Sequence, residues 1–342
     1  MKTHVLSLLP GELEENFQQK SIPRFRTKQL LNWIYENLTC ELHEMKNLPK
    51  TLKKQLTDHF DFFLPEIVKQ ETSTDGTSKF LFQLADNTHI EMVHIPHLDK
   101  NTFCISSQAG CSRGCKFCAT ASLGLSRNLA VEEIVAQIFL AKQFLKENRL
   151  TNIVFMGMGE PLDNLENVLK AVKILQNDAC FNFSPRRITI STCGVIPGIR
   201  RLAESDLKVK LAVSLNAAIQ TKREELMPVT KMYSLPELKK AILDFRKKTA
   251  YRITFEYVMI KDFNMGNEDV KAIYKFLGDI TCKLNLIKWN EVPHFSYKSP
   301  SEDEIEIFRK KLEKLSSAVT FRNSRGADIS AACGQLAGKQ KF

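Results

Sequence analysis

The chain has 342 residues, 43% of them hydrophobic, and carries 49 lysines and arginines against 39 acids, a net charge of +10. That length can bury a real core as one large domain, alone or with a smaller appendage, and the basic balance suits a polyanionic partner such as RNA. No apolar run is long enough for a membrane span or a signal peptide, and nine cysteines are too sparse for a secreted disulfide scaffold, so a cytoplasmic protein with metal-binding or reactive thiols is expected.

Residues 1–64 read as a small helical domain. Phe25, Leu30, Leu31, Ile34 and Leu38 recur at helical spacing over Arg24 to Leu38, and Pro49 can open a second helix through Phe60. Lys20, Arg24, Arg26, Lys28, Lys46, Lys50, Lys53 and Lys54 make the exposed faces basic, as an RNA-docking appendage or an ordinary solvated face would be. From residue 65 to 102 the pattern changes to an antiparallel β extension, with strands over Glu66 to Glu71, Lys79 to Leu84 and His89 to Ile95 joined at Asp75-Gly76 and Asp86-Asn87. Glu91 lies in the third strand between apolar neighbours, where a carboxylate ordinarily points out of the sheet.

Residues 103–317 alternate strands and helices. The expected pairs are Phe103–Gln108 with Val131–Glu147, Asn152–Met156 with Leu165–Gln176, and Arg187–Ser191 with Pro197–Glu204. Then come Lys208–Ser214 with Leu235–Lys247, Arg252–Met259 with Glu268–Leu277, and Lys283–Trp289 with Ser301–Leu315. Six such units imply an α/β fold with a parallel sheet, either a partial (β/α)6 TIM-like barrel or an open doubly wound sheet. Polar or glycine-rich loops after successive strands would ring one mouth, which favours the barrel. Residues 318–342 add a strand and a loop with a single thiol, Cys333.

The first of those loops carries Cys111, Cys115 and Cys118 in Cys-x3-Cys-x2-Cys spacing. A closed zinc site wants four ligands, usually in two separated pairs, and no fourth Cys or His follows closely. A cubane held by three thiolates keeps one iron open for direct chemistry. With Phe117 just before the third Cys, the loop resembles that of the radical S-adenosylmethionine (SAM) enzymes, whose open iron chelates SAM.

Together with Gly157-Met158-Gly159-Glu160-Pro161 and Ala331-Ala332-Cys333-Gly334-Gln335-Leu336, the chain from residue 20 onward resembles the radical SAM dual-specificity RNA methyltransferases. The resemblance implies one [4Fe-4S] cluster on Cys111, Cys115 and Cys118 and two SAM molecules per turnover. Gly159, Glu160, Ser191, Ser214, Leu215, Asn216 and Asn290 match the SAM pocket. Asn216 stands where the family usually has His, so a contact of the ring must pass to a shorter amide or be lost. The reaction implied is methylation at C2 of adenine-2503 in 23S rRNA and of adenine-37 in tRNA. In that scheme one SAM methylates Cys333, and a second, reduced by the cluster, yields a radical that takes a hydrogen from the S-methyl group. The methylene radical adds to C2, Glu91 removes the C2 proton, and Cys104 attacks the sulfur of Cys333 to form a disulfide and release the product. An electron donor such as ferredoxin or flavodoxin, a monomeric state and no membrane are further implications. The alternatives are the antibiotic-resistance relative that methylates C8 and a non-catalytic metal-containing RNA-binding protein. Cys40, Cys180, Cys193 and Cys282 read as small buried hydrophobes.

Overall fold

A computed structural model describes residues 2–146, 148–292 and 295–338. Its centre is a ten-stranded sheet. In chain order the strands are β1 (Glu66–Thr72), β2 (Ser78–Gln83), β3 (His89–His97), β4 (Lys100–Cys104), β5 (Asn152–Phe155), β6 (Ile188–Thr192), β7 (Lys210–Ser214), β8 (Ile253–Met259), β9 (Cys282–Lys288) and β10 (Ala318–Arg322). Each pairs with its sequence neighbour, so the spatial order is the chain order. From β4 to β10 every pairing is parallel, and from β1 to β4 every pairing is antiparallel. Helices Val131–Leu145, Leu165–Gln176, Ile196–Glu204, Leu235–Lys248, Asn267–Leu277 and Glu302–Lys311 make the crossovers, as the expected partial barrel requires. Glu147, the expected end of the first, lies outside the described residues. Serines start two of these helices: the backbone N–H of Ser301 donates to Glu304 Oε2 at 2.7 Å, and Ser234 pairs with Glu237 in the same reciprocal box.

Strand parity separates core from cavity. Ile190, Val213, Phe255, Leu284 and Leu286 are fully buried in the hydrophobic core, whereas Ser191, Ser214, Glu256, Lys283, Asn285 and Ile287 line interior cavities.

The first parallel strand differs from expectation. It runs over Lys100–Cys104 and continues the antiparallel extension through a hairpin in which His97 pairs with Lys100. Leu98 takes a left-handed φ of 52° at that turn, a position for which Gly or Asn is the usual signal. Ile105 and Ser107 leave the ladder, their N–H groups donating to Val154 and Met158 carbonyls at 2.9 Å each. Gln108–Gly110 instead forms a separate antiparallel pair with Leu125–Asn128, which carries the cluster loop between its arms.

The amino-terminal region packs helices Pro10–Gln19, Phe25–Leu31 and Lys50–His59 around Leu13, Phe17, Leu30, Ile34 and Leu56. In place of the single helix expected from Arg24 to Leu38, Asn32–Glu36 widens to a π-helical turn and Leu38 ends it at φ 51°. A short parallel pair, Thr3–His4 with Phe60–Asp61, ties the two ends of this region together. It docks on the barrel's outer helices, through the edge-to-face rings of Tyr35 and Phe181 at 4.8 Å and an ion pair of Glu12 with Lys170 at 2.9 Å. No described helix is long and apolar enough to cross a membrane.

Candidate active site

The loop between Gln108–Gly110 and Leu125–Asn128 is pinned at several points. The N–H of Cys111 donates to Gly124 O at 2.8 Å, that of Lys116 to Leu226 O at 2.9 Å, and the Trp289 indole reaches Phe117 O. Cys111, Cys115 and Cys118 thereby line one cavity at the carboxyl ends of the parallel strands. Burial pushes the Cys111 thiol up to about 12, Cys115 well above its ordinary value and Cys118 upward. Such buried thiols stay protonated unless a metal takes the proton's place. Among the described residues no three Cys, His, Asp or Glu side chains converge tightly enough to chelate a single ion. A cubane asks for less convergence, because each thiolate ligates a different iron, and the three Cys fit it.

The loops after the strands complete this mouth. At Gly157 a Cβ would lie 2.7 Å from the Ile105 carbonyl, and Gly159 combines a φ of +98° with a Cβ position 2.5 Å from that of Gln108. Only glycine lets the loop after β5 lie so close to the chain entering the cluster hairpin. Glu160 is buried and lines the cavity, its Oε2 accepting from Cys193 N at 2.7 Å and its Oε1 from Leu162 N at 3.1 Å. Burial raises its pKa, opposed by these hydrogen bonds. Ser191, Ser214, Asn216 and Asn290 line the same space. Asn216 sits at φ 53°, its Oδ1 accepting from Val258 N at 2.9 Å and its Nδ2 reaching Met227 Sδ at 3.4 Å. The Asn216 amide therefore bridges the end of β7 to β8. Leu215 does not line the cavity; it is fully buried, and its carbonyl accepts from the Arg223 guanidinium at 3.0 Å.

Arg223 carries no signal in the sequence, where QTKREEL reads as a polar surface helix. It is 1% exposed and donates to the carbonyls of Leu215, Ser214 and Cys193 and to Thr230 Oγ1, tying together the loops after β6 and β7. Burial lowers its pKa to about 10. Arg113, beside the cysteines, is held by a bidentate pair with Asp163.

The tail brings the two lone thiols into this neighbourhood. Cys333 is exposed and lines the cluster cavity, and with Cys104 it lines a second cavity that adjoins it. Gly334 O accepts from Ala119 N at 2.6 Å, Leu336 O from Thr120 Oγ1 at 2.7 Å, and Asn290 Nδ2 donates to Cys333 O at 3.1 Å. Burial pushes the Cys104 thiol up to about 12. Arg322 lines both cavities, and its proton is held more tightly by the neighbouring Cys333, then Glu256 and Cys104. Glu256 is buried on β8, two strands from Arg322, with Oε1 accepting from Asn285 at 3.1 Å and Oε2 without a described partner. A lone charged residue at an inward position of an otherwise apolar strand is the available signal for both. Glu91 points inward rather than out of the sheet: it is 3% exposed, and its Oε2 accepts from Ala337 N at 2.7 Å and Gly338 N at 3.0 Å. Lys79 Nζ lies 3.4 Å from its other oxygen, and Glu91 lines neither thiol cavity. Cys40, Cys180, Cys193 and Cys282 are buried, as expected, although Cys193 also touches the cluster cavity.

Comparison with known proteins agrees with this arrangement. The Radical SAM superfamily profile matches residues 105–277, and that of the ribosomal RNA large subunit methyltransferase N-terminal domain matches residues 3–61. A dual-specificity RNA methyltransferase RlmN from Nautilia profundicola is 43% identical over 348 residues, covering 98% of both chains. A probable one from Dictyoglomus turgidum is 40% identical over 335 residues, covering 97% of this chain and 96% of its own. The crystal structure of a radical SAM methyltransferase from Sphaerobacter thermophilus superposes with a TM-score of 0.95 at 40% identity, over 98% of this chain and 100% of that one. With cluster-type cysteines, glycine-lined loops and the tail in one continuous fold, the chain belongs to the radical SAM family of dual-specificity RNA methyltransferases.

Proposed function

We propose that this enzyme methylates C2 of adenine-2503 in 23S rRNA and C2 of adenine-37 in tRNA. The observation that carries the reading is the placement of Cys333: an exposed thiol on the cluster cavity, its loop strapped to the cluster loop by Gly334 O and Ala119 N, with Cys104 on the adjoining cavity. When bound, the cluster on Cys111, Cys115 and Cys118 and two SAM molecules per turnover supply the methyl group and the one-electron chemistry that an electron-poor aromatic carbon demands. Gly159, Glu160, Ser191, Ser214, Asn216 and Asn290 hold SAM, and Leu215 acts only through its backbone, as the anchor of Arg223.

Cys333 carries the methyl carbon and becomes covalently joined to RNA through it. Glu91 takes the C2 proton; the N–H groups of Ala337 and Gly338 that orient its carboxylate belong to the tail that carries Cys333, so one segment positions both groups. Once the adduct's unpaired electron has passed to the one-electron centre the cluster would supply, Cys104, having given up its thiol proton, attacks the Cys333 sulfur. An S–S bond replaces the C–S bond, and the methylene carbon left on adenine takes up a proton to become the methyl group. Arg322 is the nearby cation for the thiolates these steps need. The basic helices of residues 1–64, with exposed Phe25 under the Arg26 guanidinium at 4.6 Å, form part of the RNA-docking surface. Nucleoside mass spectrometry of 23S rRNA and tRNA treated with reduced, cluster-loaded enzyme tests the reading. It expects 2-methyladenosine in both RNAs; 8-methyladenosine, or methylation of neither, overturns it.

A further inference from the structure

The inward face of a parallel sheet is normally covered with bulky apolar side chains. At the amino ends of this barrel's parallel strands, opposite the cluster mouth, there is instead a cavity of about 610 Å³. Arg186 and Arg187 just before β6, Lys210 at the start of β7 and Lys283 near the start of β9 all line it, and no carboxylate does. None of the four forms an ion pair among the described residues. Some lysines elsewhere on the barrel do have acid partners, Lys222 with Asp269 at 2.9 Å, Lys239 with Asp279 at 2.6 Å and Lys261 with Glu304 at 2.8 Å. The unmatched set is crowded: Lys210 loses proton affinity first through burial and then through Arg187, Lys283 and Arg186. Glu256, an acid whose charge Lys283 influences, lines the cluster cavity rather than this one, and burial raises its pKa. A fold that holds like charges together without a counter-ion does so at a cost, which a bound polyanion removes.

We propose that this basic cavity receives backbone phosphates of the RNA strand next to the target adenosine, so that the substrate is gripped from below the thiols it reacts with. The inference rests on the RNA methyltransferase reading above. Guanidinium forks and ammonium groups without acids match phosphodiester oxygens, and their contacts position a strand without reading its sequence. Arg322 lines this cavity and both cavities that hold Cys333, so a strand held here lies directly across Arg322 from the acceptor thiol. The concave shape favours a flexible single strand over the convex surface of an acidic protein partner.

Two double variants of the cluster-loaded enzyme test this, Arg186→Gln with Arg187→Gln and Lys210→Gln with Lys283→Gln. The probe is a fluorescent RNA stem-loop with an adenosine in its loop, titrated at several salt concentrations. Each pair is expected to weaken RNA binding roughly tenfold and to lower the slope of log K against log salt by about 1.5. Iron content and SAM binding should stay at wild-type levels, because none of the four residues lines the cluster cavity. If wild-type enzyme binds the stem-loop while both variants keep its affinity and slope, the inference is wrong; slower reduction by an electron-donor protein with unchanged RNA binding assigns the cavity to that donor and equally overturns it. Failure of wild-type enzyme to bind the stem-loop would overturn the functional reading and this inference with it.

Discussion

At the carboxyl ends of the strands, Arg223 donates to three carbonyls and a hydroxyl, Asn216 bridges two strands and Glu160 accepts from two backbone N–H groups. At the amino ends, Arg186, Arg187, Lys210 and Lys283 face one cavity with no acid lining it. The two mouths share inward positions of the same strands, Ser214 and Lys210 on β7 and Ile287 and Lys283 on β9. In the upper one Arg223, Asn216 and Glu160 spend their polar groups on protein hydrogen bonds, a frame suited to the cofactor proposed above. The lower one leaves its charge uncompensated, which stores electrostatic attraction for a ligand that arrives from outside. On the readings proposed above, the internally bonded mouth holds the cofactor and the basic one captures the substrate.

The largest expected effect concerns the thiols between the two mouths. Cys104→Ala should still join RNA to Cys333 but fail to release it, so the protein should run on denaturing gels as a ribonuclease-sensitive, slower band in near-complete yield. Cys333→Ala should give no such band, and a shifted band there would reverse the two roles.

Next comes the rigidity of the upper mouth. Arg223→Met leaves the Leu215, Ser214 and Cys193 carbonyls without their donor, at about 1–3 kcal/mol for each buried group left unsatisfied. Urea denaturation should show at least about 3 kcal/mol of lost stability. A loss below about 1 kcal/mol would mean that the loops hold without it.

Glu256 lines the upper mouth, and its response is pH-dependent. Burial raises its folded pKa above the ordinary 4.5, so the stability it supports is complete below that value and is lost as pH rises through the folded value. Glu256→Gln removes the titration. The variant should be more stable than wild type by about 1 kcal/mol at mildly alkaline pH, the gap closing as pH falls below 4.5. A gap independent of pH would show that the carboxyl does not titrate in this way.

The smallest effect belongs to the lower mouth. Lys210→Gln relieves crowding by Arg187, Lys283 and Arg186 at an exposed position, so thermal stability should rise, by no more than about 0.5 kcal/mol. A clear fall would mean that Lys210 has a stabilising partner and that the two mouths differ less than their linings suggest.

Features written along short stretches of chain are legible in the sequence itself. The Cys-x3-Cys-x2-Cys loop and the alternation of apolar strands with amphipathic helices each depend on neighbours a few residues away, so spacing alone reveals them. The crossovers fall within a few residues of their expected ends for the same reason. The hairpin at Leu98 escapes because its left-handed turn lacks the usual Gly or Asn, and that shifts the first barrel strand to Lys100–Cys104. What requires the folded barrel is convergence across distance. Glu91 meets Ala337 and Gly338 across most of the chain, Arg223 reaches back to Cys193, and four basic residues spread from Arg186 to Lys283 share one cavity. Sequence periodicity fixes which face of a strand a residue occupies, but it carries no information about which distant strand curves round to meet it. That curvature follows from the twist and packing of the whole sheet, and only the tertiary structure turns separate inward positions into two chemically opposite mouths.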